Sequence, residues 1–150
     1  MKRKDHNIAK ELGFSLLAEG KTIRIRADGY SMFPTIKAGS LIYIEPDIDP
    51  SPGEIIAWKR DGGFVVHRLV RIANDGAYIT RGDSCAREDK PVKKEQITGR
   101  VISIESITGD KYGSEKKMIS RFDYIYNRLH VWLVLRLRRA RHIVKRLINE

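Results

Sequence analysis

The chain has one cysteine, Cys85, among its 150 residues. A single thiol excludes an internal disulfide framework and a cysteine-built zinc quartet, and it fits a reducing compartment. Long apolar runs are also missing. The longest is VWLVL, residues 131–135, far short of the roughly 20 residues that span a bilayer. The opening MKRKDHNIAKELG is basic but leads into no apolar stretch, so neither an export signal nor an anchor is expected. Repeats and low-complexity segments are absent. Acidic residues are outnumbered: 29 Lys and Arg face 19 Asp and Glu, a formal net charge of +10. The excess is uneven. Residues 121–150 hold eight basic side chains against Asp123 and Glu150. The expected location is the cytoplasm or the periphery of a membrane. An anionic surface or an acidic partner is favoured, and nucleic acid is not expected.

What is present reads as one globular unit with an appendage. Apolar residues make up 41% and charged residues 32%, the balance of a folded domain. Ile8, Leu12, Leu16 and Leu17 have helical spacing, with Asn7 as N-cap and Gly20 as stop. From residue 22 the pattern becomes short β-type runs between turn signals: TIRIR, SLIYI, EIIAW, FVVHRLVRI, AYIT and GRVISIESI. Residues 54–72 read as a hairpin around DGG. Near residue 118 the helical period returns. Tyr126, Leu129, Leu133, Leu137, Ala140, Val144 and Leu147 form one apolar seam on a long basic helix. The expectation is a mainly β domain over residues 1–110, a linker over 108–117, and a basic amphipathic helix over 118–150.

Chemistry concentrates in three stretches. GYSMFP, residues 29–34, holds Ser31 between turn-forming residues, with Met32 and Pro34 placed to shape the turn. A serine becomes a nucleophile only beside a base, with a group to orient that base and donors for the oxyanion. Of the four histidines, only His67 lies within the β body. Alternation puts it on one face with Val65 and Leu69, where a paired core histidine is the commoner reading. In TRGDSCARED, Asp83 and Asp89 bracket a turn, and either could hold an imidazole in one tautomer. Solvated turn carboxylates are the plainer reading. Nothing places a base beside Cys85, and Trp58 and Trp132 read as packing residues. No metal site or cofactor is expected.

GYSMFPTIKAGSLIYI, GEIIAWKRDGGFVVHRLVRI and YITRGDSCAREDKPV with ITGRV occur in this order. Together they resemble the type I signal peptidase and LexA-like (S24/S26) serine peptidase superfamily over residues 22–104. The resemblance implies a coiled β-barrel body, to be flanked here by a short N-terminal helix and the long basic C-terminal one. It implies Ser31 as nucleophile. His67 stands where ordinary bacterial signal peptidases carry a lysine, which looks like the endoplasmic-reticulum, archaeal and sporulation-type branch. Asp89 matches the usual third member, and Asp83 matches the aspartate of the GD pair. Gly29 stands where signal peptidases carry a serine that donates into the oxyanion hole, leaving the Ser31 N–H as donor. The membrane enzymes' N-terminal anchor is not seen.

The implied activity is serine endopeptidase cleavage of a polypeptide bound as an extended strand, with small residues before the scissile bond. Two other readings stand beside it. One is a non-catalytic peptide- or membrane-binding module. The other is a LexA-like self-cleaving regulator, although no Ala-Gly or Cys-Gly pair precedes Ser31. Arg136, Arg138, Arg139, Arg141, Lys145 and Arg146 mark the face expected to meet an anionic membrane or a protein partner.

Overall fold

A computed structural model describes residues 11–46, 49–61 and 63–148, with side chains described through residue 141. A short helix, α1 (residues 11–18), precedes seven strands: β1 Ile23–Arg26, β2 Leu41–Glu45, β3 Ile55–Arg60, β4 Gly63–Ile72, β5 Tyr78–Arg81, β6 Ile97–Glu105 and β7 Lys111–Gly113. The helix α2, Arg121–Ile148, follows. The expected α1 start at Asn7 and Ile8, and His6, lie outside the described residues.

All strand pairs are antiparallel and belong to one sheet ordered β1-β2-β6-β3-β4-β5, with β7 on β6. β6 organises it. One edge pairs with β2, while the other pairs with β3 through Ile97–Arg100 and with β7 through Ser103–Glu105. The mainly β body with a helix at each end is the expected class. The sheet does not close on itself: among the described strands, β1 pairs with β2 alone and β5 with β4 alone.

β3 is buried on both faces. Ile55 and Ala57 join a core with Leu17, Ile23, Met32, Ile36, Ile42, Ile44, Val101 and Ile104. Ile56 and Trp58 join a second core with Leu69, Tyr78, Val92 and Ile97. Each such aliphatic side chain contributes about 1.5–3 kcal/mol by leaving water, so two cores sharing one strand fix its register against a one-residue slip. β4 obeys the same alternation. Phe64 and Val66 pack on the first core, and Val65 and Leu69 pack on the second.

One sequence expectation changes. Residues 108–117 are not a plain linker. Ser106 and Asp110 close a tight turn (Ser106 N to Asp110 O 2.8 Å), and β7 returns along β6. The sequence concealed this strand because KYG offers no apolar alternation. The apolar seam of α2 faces away from the body. Tyr124 and Asn127 are buried, whereas Tyr126, Leu129, Leu133 and Leu137 are exposed. The helix starts with a cap at Ser120, whose Oγ accepts from the Asp123 N–H while Asp123 Oδ2 accepts from the Ser120 N–H.

Candidate active site

Ser31 lies in the turn between β1 and β2. Gly29, two residues earlier, has φ +85°, the left-handed region that favours glycine. A serine there would be strained. Phe33 N donates to Tyr30 O (3.0 Å) and Ile36 N to Met32 O (2.9 Å), and the Phe33–Pro34 bond is cis. Met32 is buried in the first core, so it roots the turn. The Ser31 carbonyl accepts from Ser84 N (2.9 Å) and Ser84 Oγ (3.1 Å), and the Tyr30 carbonyl accepts from the same hydroxyl (2.6 Å). Three hydrogen bonds thereby clamp the GYSMFP turn to the RGDS loop. The Ser31 hydroxyl makes no hydrogen bond among the described residues.

β4 delivers His67, which is 9% exposed. Its Nδ1 lies 2.6 Å from Asp89 Oδ2. Thr80 Oγ1 donates to the same carboxylate oxygen at 2.8 Å, and Asp89 N donates to Thr80 O at 2.8 Å. The segment 78–92 folds back on itself, with Tyr78 and Val92 paired in an antiparallel bridge. That return puts Asp89 beside Thr80 at the end of the strand next to His67. Burial raises the Asp89 carboxyl, but the hydrogen bond and charge of His67, then Thr80, outweigh it and hold the group below its ordinary value. An ionised carboxylate only accepts, so Nδ1 donates to Asp89, and in the neutral imidazole the lone pair lies on Nε2.

Nε2 faces the serine turn across Gly82. A Cβ at residue 82 would sit 2.6 Å from Ser31 O, 2.7 Å from Cys85 Sγ and 3.1 Å from His67 Nε2. The missing side chain of Gly82 is therefore what lets the imidazole and the serine backbone converge. Cys85 shares this corner. Burial first, then the Asp89 charge, pushes its thiol up, so the reactive thiolate is disfavoured.

Asp83 is elsewhere. It is fully buried, and its carboxylate takes a bidentate pair from Arg68: Nε to Oδ1 at 2.9 Å and Nη2 to Oδ2 at 2.7 Å. Thr35 Oγ1 adds a third bond at 2.5 Å. Arg68 Nη1 reaches Gly53 O at 2.8 Å. Arg68 and His67 are adjacent on β4, so they point to opposite faces. One aspartate contacts the histidine and the other contacts the arginine.

A cleft of about 820 Å³ opens in front of Ser31 and His67, lined by Ile25 and Ala27 on one side and Phe64, Val65 and Val66 on the other. Both flanking strands have a free edge there. β1 pairs on one side only, and β4 pairs with β5 only from Arg68 onward. Among the described residues, no three His, Cys, Asp or Glu side chains cluster as metal ligands would.

Sequence reading missed the contribution of α2. Asn127 Nδ2 donates to Asp83 O at 2.9 Å, His130 packs at a tilt against Phe33 with ring centroids 5.0 Å apart, and Arg138 donates to the Tyr30 hydroxyl. Arg136, Arg139 and Arg141 are exposed, and the side chains of Lys145 and Arg146 lie outside the described residues. Thr80 and Arg68 were also missed as site neighbours. Their signal was adjacency alone, Thr80 before RGD and Arg68 after His67.

Residues 3–102 match the family model described as Peptidase S24-like. No curated protein matches the chain.

Proposed function

We propose that the chain, which belongs to the Peptidase S24-like family, is a serine endopeptidase of the histidine-dependent signal peptidase type. The observation that carries this reading is the His67–Asp89 pair at 2.6 Å, with the free imidazole nitrogen turned toward the Ser31 turn. A lysine base needs burial to depress its pKa before it can act near neutrality, whereas a histidine titrates there already and needs orientation instead. Asp89 supplies that orientation.

The mechanism follows from these groups. His67 Nε2 takes the proton of the Ser31 hydroxyl as Oγ attacks the scissile carbonyl. The imidazolium that forms is stabilised by the ionised Asp89. The Ser31 N–H donates to no described acceptor and is the available donor to the oxyanion. His67 then returns its proton to the leaving amine, and water hydrolyses the acyl-serine by the same route. A substrate in extended form pairs with the free edges of β1 and β4. Its apolar side chains fit the Ile25, Phe64 and Val66 wall.

Digestion of a mixed peptide library, read by mass spectrometry, tests the reading. New termini following small residues are expected, and a library left intact at every pH between 6 and 9 overturns it. Gly82→Ala is a second test. The new methyl would push Ser31 and His67 apart, and a displacement of this kind is expected to lower kcat by about 100-fold. Far-ultraviolet circular dichroism should stay unchanged, and a variant with wild-type kcat contradicts the assigned geometry.

A further inference from the structure

The apolar seam of α2 is turned away from the protein. Phe122 is 84% exposed, Leu129 59%, Trp132 55% and Leu137 53%. Tyr124 and Asn127, on the other side of the helix, are each 6% exposed and pack on the body. Leaving such a row of large side chains in water is unusual for a monomer surface. The same helix carries Arg121, Arg128, Arg136, Arg138, Arg139 and Arg141 within its described side chains, against Asp123 alone. Arg136 lies over the Trp132 ring, 4.7 Å from its centroid. No described helix is long and apolar enough to cross a membrane.

We propose that α2 is a docking element for an anionic phospholipid bilayer. It lies in the plane of the headgroups with the Phe122–Leu137 seam inserted and the arginines other than Arg138, which is held by Tyr30, at phosphate depth. The charge decides between occupants. A second copy of the chain would bring two arginine-rich helices together with Asp123 as the one acidic side chain described on each, whereas phosphate headgroups complement them. Trp132, half exposed beneath Arg136, joins an apolar ring to a polar N–H, the combination that suits a bilayer interface.

The docked helix carries the cleft with it. Asn127 holds the Asp83 carbonyl, His130 covers Phe33, and Arg138 holds Tyr30. Both loops that frame the Ser31 cleft are thus strapped to the element that meets lipid. On the peptidase reading, the substrates are polypeptides presented at a membrane surface. The docking itself stands without that reading.

Vesicle flotation of the full chain tests it, with phosphatidylcholine alone and with phosphatidylcholine mixed with phosphatidylglycerol. Partition into the anionic vesicles is expected to be stronger by about tenfold or more at low salt, and to fall as salt rises. Trp132 emission should shift to the blue, while Trp58, already 3% exposed, contributes no change. Leu129→Gln combined with Leu133→Gln alters only exposed positions and keeps good helix formers. It should retain the circular dichroism spectrum and lose most of the partition. Absence of binding, equal binding to neutral and anionic vesicles, or unchanged emission overturns the proposal. So does a dimer in light scattering that the glutamine variant dissolves, which would assign the seam to a second copy.

Discussion

Ser31→Ala is expected to lower peptide hydrolysis by about 10,000-fold or more, because the covalent route disappears with the hydroxyl. Asp89→Asn is expected to cost about 1,000- to 10,000-fold with the Ser31 hydroxyl intact. An amide at 89 can offer its NH₂ to Nδ1, which moves the imidazole proton to Nε2 and leaves no lone pair facing the serine. It also removes the charge that steadies the imidazolium. The two losses should not add, since nucleophile and base act as one unit, and the double variant should resemble Ser31→Ala alone. Steady-state kinetics on one cleaved peptide measures all three. Wild-type rates in Ser31→Ala, or losses that multiply, contradict the assignment. Asp89 also contributes to stability with a definite sign. Its carboxyl is held below the ordinary value, so that contribution is present above the ordinary carboxylate range and fades as pH falls through the lowered value. At neutral pH both variants should remain folded, with Asp89→Asn slightly less stable.

Asp83→Ala is expected to act on folding instead. Arg68 is 2% exposed and Asp83 0%, and truncating one partner leaves a buried guanidinium without its counter-charge. Such a break costs about 3–5 kcal/mol, a large share of the roughly 5–15 kcal/mol that holds a domain together. The denaturant midpoint should fall accordingly at unchanged slope. Arg68→Met together with Asp83→Ala should recover much of the loss, because the unpaired charge goes with its partner. A single variant of wild-type stability would mean that the pair is hydrated or replaceable. The contrast separates the two aspartates: replacement of Asp89 removes turnover at little cost in stability, and replacement of Asp83 removes stability.

Much of this was legible in the chain itself. Alternation along FVVHRLVRI correctly assigned Val65 and Leu69 to one core, because a strand's side-chain period is two whatever surrounds it. The order of the GYSMFP, VVHRLV and RGDSCARED blocks marked the family, and the sheet, the short first helix and the long basic helix were readable from period and turn residues. Two features were not. KYG reads as linker because three residues carry no period, and only pairing with β6 makes them a strand. The direction in which the seam of α2 points was the other, because apolar periodicity states which residues share a face, not what that face meets.

The sequence by itself determined which side chains exist for chemistry, and that Ser31, His67, Asp83 and Asp89 come on strands and turns able to converge. Only the tertiary structure decided that Asp89 meets His67 while Asp83 meets Arg68. The physical reason is non-local. Neighbours on β4 point to opposite faces, so the partner of each depends on how residues 78–92 fold back across the sheet. Local spacing does not encode that path.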